Sequence, residues 1–376
     1  MRGERLITPL VLLVIAGLVI ALPAERSGSA IRTISFLTGF GTTVAMYAIL
    51  VVGLNVQWGY TGVFNFGVAA FFMVGAYTAA IFTKPPADSE FVRYIGGFGE
   101  VLSPPFLDSG QWLPFIIAVG AAGVMSGALA LLLSIPTLRL RQDYLAIATI
   151  GVAELLRRVT IEEDGLVNSN RGLIGIPRPF YDYFEPSDYK YVYLAIAVIA
   201  LVLVYIAVER GIRSPWGRVL RALREDEDVV AASGKNVFAF KMQGFVLGAV
   251  IMGVGGAVFA FSRGSVGPET FDHFFATFIF WAMLIVGGSG NNRGAIVGVF
   301  VVWGIWTIML QLNGYDLPDL VQSRTFFIRD FLIGALIVIM LLLRPQGLVP
   351  EERRVSIWLD RELRRQGQEA DKKARA

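Results

Sequence analysis

Within residues 55 to 65, NVQWGYTGVFN, the amides of Asn55, Gln57 and Asn65 and the hydroxyl of Thr61 recur two to four residues apart in an otherwise apolar stretch. Such groups hold a polar solute by donating and accepting hydrogen bonds, and with no base beside them they supply no activated nucleophile. Gly59, Gly62 and Gly67 are interleaved with them. A helical glycine costs about 1 kcal/mol against alanine, so three of them beside polar side chains mark a geometric demand, namely backbone that bends and comes close to something. A second such stretch, GGSGNNRG at 287 to 294, carries Gly288, Asn291 and Asn292.

Other chemistry is thin. The chain has no cysteine, hence no disulfide framework or thiolate, and its one histidine, His273, cannot build a histidine-rich metal site. No G-x-x-x-x-G-K-[ST] run is present to cradle ATP phosphates; the nearest, Ser233-Gly234-Lys235-Asn236, lacks the leading glycine and the final hydroxyl. No H-E-x-x-H occurs, and no nucleophile and base stand together, which leaves an intramembrane enzyme the weakest class. No metal, cofactor or nucleic-acid partner is implied. Glu154 is the clearest intramembrane carboxylate, and Arg158 one turn later neutralises it, which argues against ion coupling.

The elements that must position these residues are membrane helices. Hydrophobic residues make up 55% of the 376-residue chain, charged residues only 17%, and the mean hydropathy is +0.61, far from a soluble domain. The expected fold is an all-α polytopic membrane protein of about ten transmembrane helices. Spans are expected near 6–22, 34–54, 63–82, 113–133, 144–159, 191–208, 245–261, 274–286, 295–312 and 326–343. The first run resembles a signal peptide, but its Pro23-Ala24-Glu25-Arg26 exit is a poor cleavage site and favours a retained anchor. An even count puts both termini on one side, and the distribution of Lys and Arg makes that side cytoplasmic. Residues 1–343 form the transmembrane domain and 344–376 a cytoplasmic tail. Two outer loops, roughly 84–112 and 160–190, are folded surface segments.

On this topology Asn55 to Gly62, including Tyr60, lie where spans two and three meet at the cytoplasmic end. Two readings fit: an interfacial turn anchored by Trp58 and Tyr60, or a broken helix lining a solute path. The eighth span, FFATFIFWAMLIV, is short and runs into the second glycine-rich stretch. Five spans per half would set span three against span eight as an inverted repeat with broken helices. Gly244-x-x-x-Gly248 and Gly294-x-x-x-Gly298 permit close helix packing, chiefly within the chain.

The largest inner loop, about 209–241, predicts a short helix from Trp216 to Ser233: Ser214-Pro215 starts it and Gly234 stops it. Arg221/Glu225 and Arg224/Asp228 are i,i+4 pairs, and Val219, Ala222, Leu223, Val229 and Val230 form an apolar face. Such a helix lies on the membrane or docks a soluble partner.

The string GRVLRALREDEDVVAASGKNVFAFKMQGFVLGAVIMGVGGAVFA resembles the coupling loop and following helix of permease subunits of branched-chain amino-acid (LIV-type) ABC importers. RLRQDYLAIATIGVAELLR at 139–157, GYTGVFNFG through GAYTAA at 59–80, and RPQGL at 344–348 extend the resemblance over most of the chain. Val68 departs from it, since relatives often carry histidine or tyrosine there, and so does Asn291-Asn292-Arg293, in place of another glycine-rich run. The resemblance implies a plasma (inner) membrane permease for branched-chain or other amino acids, driven by two ATP-binding subunits. A second homologous permease, an extracytoplasmic solute-binding protein and membrane lipid complete its partners. It places ATPase coupling on Arg218, Arg221, Arg224, Glu225, Asp228, Ala232 and Gly234. The solute path falls to Asn55, Gln57, Gly59, Tyr60, Thr61, Gly62, Asn65, Gly67, Gly288, Asn291 and Asn292. A urea or amide ABC permease and an ion-coupled amino-acid carrier are the alternatives.

Overall fold

The computed structural model describes residues 4–84, 112–312, 315 and 324–351. Most of the first expected outer loop and of the tail lie outside them. Helices account for nearly all regular structure: α1 Glu4–Ser27, α2 Ala30–Leu54, α3 Val68–Thr83, α4 Trp112–Thr137, α5 Gln142–Glu162 and α6 Tyr189–Arg213. They continue with α7 Pro215–Glu225, α8 Glu227–Ala232, α9 Val237–Arg263, α10 Ile279–Gly287, α11 Asn292–Leu312 and α12 Thr325–Leu343. Among the described residues seven of these are long and apolar enough to cross a membrane: α1, α2, α4, α6, α9, α11 and α12. The chain is an all-α polytopic membrane protein.

The two shorter apolar helices are informative. With 16 residues α3 rises about 24 Å, less than a bilayer core of about 30 Å. The missing length comes from irregular chain before it: a π-helical turn at Asn55–Tyr60 continues α2, and residues 62–67 have no regular secondary structure. Similarly, a second π-helical turn, Phe274–Phe278, precedes α10. Of the two readings the chain adopts the broken helix, with Tyr60 buried and Trp58 half-buried against Phe64 and Trp281.

Helices α2, α3, α4 and α9 form the centre, with α9 packed against the other three. Small residues make this possible. A Cβ on Gly75 would fall on the backbone of Gly253, and one on Gly256 on the Phe72 carbonyl, so these helices touch main chain to main chain. The two small-residue patterns also pack inside the chain, Gly244 and Gly248 against Thr61 and Gln57, Gly294 and Gly298 against Gly287. By contrast α1, α6 and α12 turn Leu13, Leu203 and Leu342 outward, as lipid-facing helices do.

The stretch from 144 to 159 is helical and belongs to α5, whose five charged residues set it apart from the seven more apolar spans. Two expectations need correcting. The segment expected as one helix from Trp216 to Ser233 is two, because Asp226 is extended and its carboxylate accepts from the N–H groups of Asp228 (2.9 Å) and Val229 (3.1 Å), starting a new helix. Burial also departs from the expected apolar face: Gly217, Leu220, Leu223 and Val230 are buried, whereas Ala222 and Val229 are exposed. The loop from 163 to 188 is folded as expected. Leu173–Ile174 pairs antiparallel with Ser265–Val266, which ties it to the end of α9.

Candidate functional site

The first glycine-rich stretch leaves helical geometry at Asn55, and its polar side chains pair with the groups this exposes. The Asn55 amide donates to Asn292 Oδ1 (3.0 Å) and its Oδ1 accepts from the Gly290 N–H (2.9 Å), so the two glycine-rich stretches are joined through one side chain. Asn292 in turn donates to Glu209 Oε2 at 3.0 Å. Gln57 donates to the Phe245 carbonyl (2.7 Å) and accepts from Asn65 (2.7 Å); Asn65 Oδ1 accepts from the Gly67 N–H (2.7 Å). Thr61 donates to the Val56 carbonyl at 2.8 Å, and Trp281 Nε1 to the Asn65 carbonyl at 3.0 Å. Irregular backbone survives at membrane depth only when its polar groups are met by protein, and these four side chains meet them.

Asn55, Gln57, Thr61, Asn65 and Asn292 are buried, as are Tyr60, Gly67 and Gly288. Asn291 is half-buried and donates to the Pro350 carbonyl at 3.0 Å. Gly59 is fixed by crowding: a Cβ there would meet Asn55 Oδ1 and the Gly290 nitrogen. Gly62 has φ +75, the left-handed region that glycine adopts without strain. An aromatic cluster lies against the break, with Trp281 buried, Trp58, Phe64 and Phe66 half-buried and Phe278 exposed. Phe66 stacks on Trp281 at 4.8 Å between centroids, Phe64 sits 5.0 Å from Trp281, and the exposed Phe278 lies 5.7 Å from Phe66. Trp58 and Trp281 close the shelf at 5.6 Å.

The α7 helix meets the break directly. Arg224 of α7 donates through Nη1 to the Gly59 carbonyl and through Nη2 to Glu351 Oε2 (2.7 Å). It thus pairs with Glu351 in place of Asp228, because the chain break at Asp226 carries Asp228 away from the α7 face. The α7 helix, the π-helical turn and the chain leaving α12 share one open cleft of about 820 Å³, lined by Trp58, Gly62, Arg218, Ala222, Glu225 and Glu351 among others. Arg221 is half-buried and donates to the Ile212 carbonyl at 3.3 Å, bracing α7 on α6. Arg218, Glu225, Asp228, Ala232 and Gly234 are exposed, and Gly234 has φ +77. A bridge of 2.5 Å from Lys241 to Glu227 holds α8 on α9.

The structure thus brings Gly59, Gly62, Arg218, Arg221, Arg224 and Glu225 to one cleft, whose lining does not include Asp228, Ala232 and Gly234. Sequence reasoning missed Glu351, Glu209 and Trp281. Glu351 follows the RPQGL motif by three residues, the one signal that marked its neighbourhood.

Residues 36–341 match the family model described as branched-chain amino acid transport system / permease component. The chain is 29% identical over 334 residues to the high-affinity branched-chain amino acid transport system permease protein LivM of Escherichia coli (strain K12), covering 83% of this chain and 69% of that one. A probable branched-chain amino acid transport permease protein LivM of Methanocaldococcus jannaschii is 27% identical over 325 residues, covering 82% and 91%. The nucleoside ABC transporter permease protein NupC of Lactococcus lactis is 22% identical over 312 residues, covering 77% and 86%. No solved structure matches the chain. With its membrane helices, its broken-helix core and a matched region spanning α2 to α12, the chain belongs to the family of branched-chain amino acid transport system permease components.

Proposed function

We propose that the chain is a transmembrane subunit of an ATP-driven importer that moves branched-chain or other amino acids across the plasma (inner) membrane, with ATP hydrolysed by two partner subunits. A second homologous permease and an extracytoplasmic solute-binding protein complete the assembly. In this reading the fold has ten membrane helices, α5 among them, both termini are cytoplasmic, and α3 and α10 are the broken members of an inverted repeat. Residues 344–376 form a cytoplasmic tail.

The observation that carries the reading is the grip of Arg224 on the Gly59 carbonyl. A partner that moves α7 moves the break with it, because no flexible linker stands between them. ATPase contact falls on the exposed residues Arg218, Glu225, Asp228, Ala232 and Gly234, and Arg221 and Arg224 pass the displacement inward. The solute path runs past the break: Asn55, Gln57, Thr61 and Asn65 hold its shape in this conformation, with Tyr60, Gly59, Gly62, Gly67, Gly288, Asn291 and Asn292 around them. An aliphatic side chain fits the shelf of Phe66, Phe278 and Trp281. The same shelf favours a second reading, a nucleoside permease, since a nucleobase stacks on aromatic faces.

The test is uptake by the reconstituted transporter. Proteoliposomes holding both permeases and the ATPases, supplied with binding protein and ATP, should accumulate labelled leucine and stop when ATP is withheld. Uptake that persists without ATP and collapses with an ionophore would replace this reading with an ion-coupled carrier.

A further inference from the structure

A second cleft, of about 290 Å³, opens at the end of α6 opposite α7. Arg178 of the loop before α6, Lys190 of α6 and Arg263 of α9 line it, with Gly39 of α2 and Tyr189 and Tyr193 of α6. Three cations meet there and no carboxylate does. Local composition does not explain this, since residues 160–190 carry six carboxylates against three basic residues. Asp182, Glu185 and Asp188 neighbour lining residues in the chain, yet they are exposed and line no part of the cleft.

Among the described residues none of the three cations has a carboxylate partner. Lys190 donates to Ser35 Oγ and Arg178 Nη2 to the Arg263 carbonyl at 3.4 Å, both neutral acceptors. The charges lie instead over rings, Arg178 at 5.8 Å from Tyr181, Lys190 at 5.0 Å from Tyr191 and Arg263 at 5.5 Å from Phe259. An ammonium has three donors and a guanidinium five, so Lys190 and Arg178 keep N–H groups for a further acceptor. The hydroxyls lining the cleft are engaged: Tyr189 donates to the Pro179 carbonyl (3.0 Å), Tyr193 to that of Val258, and Thr42 and Thr43 to carbonyls of α2. What the cleft offers a ligand is therefore positive charge, and like charges gathered without a counter-ion repel one another until an anion sits between them.

Its level in the membrane selects the anion. Together α2 and its π-helical turn run 31 residues, about 46 Å against a bilayer core of about 30 Å, so the first turns of α2 stand among the lipid headgroups. Ser35, the partner of Lys190, lies in the second turn. Lys190 is the second residue of α6, and Arg263 is the last of α9. Tyr191 is exposed at the same level, as interfacial aromatics are. Further along α6, Val198, Ile199, Val202 and Leu203 are exposed. Gly39 is exposed too, with no atom within 4 Å of where a Cβ would stand, so the cleft is open along α2.

We propose that this cleft binds the phosphodiester headgroup of an anionic phospholipid, with Arg178, Lys190 and Arg263 around the phosphate and the acyl chains along α6. A lipid delivers its phosphate at this depth and covers the apolar face of α6 at once, which a free anion does not. The leaflet, the outer one, rests on the topology of the importer reading; the binding does not.

The test uses the full-length chain purified in detergent, stripped of lipid and titrated with phosphatidylglycerol or phosphatidylcholine, with bound lipid counted by native mass spectrometry. Phosphatidylglycerol should bind at least about tenfold tighter and should raise the melting temperature. A cation beside an anionic lipid is worth about fivefold in affinity, so Arg178→Gln, Lys190→Gln and Arg263→Gln should each weaken phosphatidylglycerol by about that factor and leave phosphatidylcholine unchanged. Gly39→Trp keeps every charge and fills the opening, and it should abolish the preference, which reads the site independently of any charge variant that fails to fold. Equal phosphatidylglycerol affinity in the native chain and all four variants overturns the site. Displacement of the lipid by millimolar inorganic phosphate overturns the lipid assignment in favour of a free anion. Unchanged lipid affinity in the charge variants, with loss of capture of an extracytoplasmic binding protein, also overturns it and makes the cleft a contact for an acidic protein surface. Solute and ATP are absent throughout, so failure of the importer reading in uptake assays is a separate result.

Discussion

Arg224 of α7 and Gly59 of the π-helical turn are 165 residues apart in the chain and joined by a hydrogen bond from guanidinium to carbonyl. Through it, α7 touches the segment after α2 that has left α-helical geometry. The carbonyl is available only because the turn is π-helical and irregular chain follows it.

Arg224→Ala should uncouple the transporter. Hydrogen bonds to charged groups contribute about 1.5–3 kcal/mol, and two are lost here while Glu351 is left without its cation. Assembly with the ATPase should persist, with ATP hydrolysis continuing while solute uptake falls at least tenfold. Arg224→Lys should recover part of the coupling, since a lysine reaches one acceptor but cannot fork between two. Parallel measurement of hydrolysis and uptake checks both.

Asn55 and Asn292 should behave as one unit. Each single leucine substitution strands a buried amide, so the double-mutant cycle in thermal stability should show a coupling energy of about 1 kcal/mol. Additive effects would mean that the two glycine-rich stretches are held together by something else.

Gly234→Leu should impair ATPase docking without affecting insertion. The position has open space around it, so the effect comes from φ +77 alone, which a leucine adopts only with strain of about 1–2 kcal/mol. Co-purified ATPase should drop while the amount of membrane-inserted chain is unchanged. Normal co-purification together with full transport would remove the docking assignment.

Cysteine scanning should separate what the break shows from what it hides. Phe64→Cys and Phe66→Cys, at half-buried positions, should react with a water-soluble thiol reagent in the resting transporter. Thr61→Cys, Asn65→Cys and Gly67→Cys, at buried positions, should react only when binding protein, solute and ATP drive turnover. If those three stay inert in every state, the break is a sealed structural joint and the solute passes elsewhere.

Much of this was legible from residue order because it follows from local physics. Long apolar runs must be helices in a bilayer, since no other single segment satisfies its own backbone there. Glycines beside amides at 55–67 announced a break, and Ser214-Pro215 and Gly234 bounded the cytoplasmic helical segment, for reasons of φ, capping and hydrogen bonding within a few residues. The family was equally readable, because its motifs are continuous stretches of sequence.

Tertiary structure decided which groups those local features serve. That Asn55 bonds Asn292, Gln57 the Phe245 carbonyl and Arg224 both Gly59 and Glu351 depends on contacts spanning more than a hundred residues, and no periodicity encodes a partner at that range. The i,i+4 rule paired Arg224 with Asp228, but Asp226 ends one helix and caps the next, and a single residue's extended backbone was enough to cancel the spacing. Burial also reversed the reading of Val229, which follows that break, and of Ala222, which precedes it on α7. The charges on α5 could be neutralised locally, as the sequence suggested. Only the packed fold set His273 against them and left the Arg158 side chain exposed.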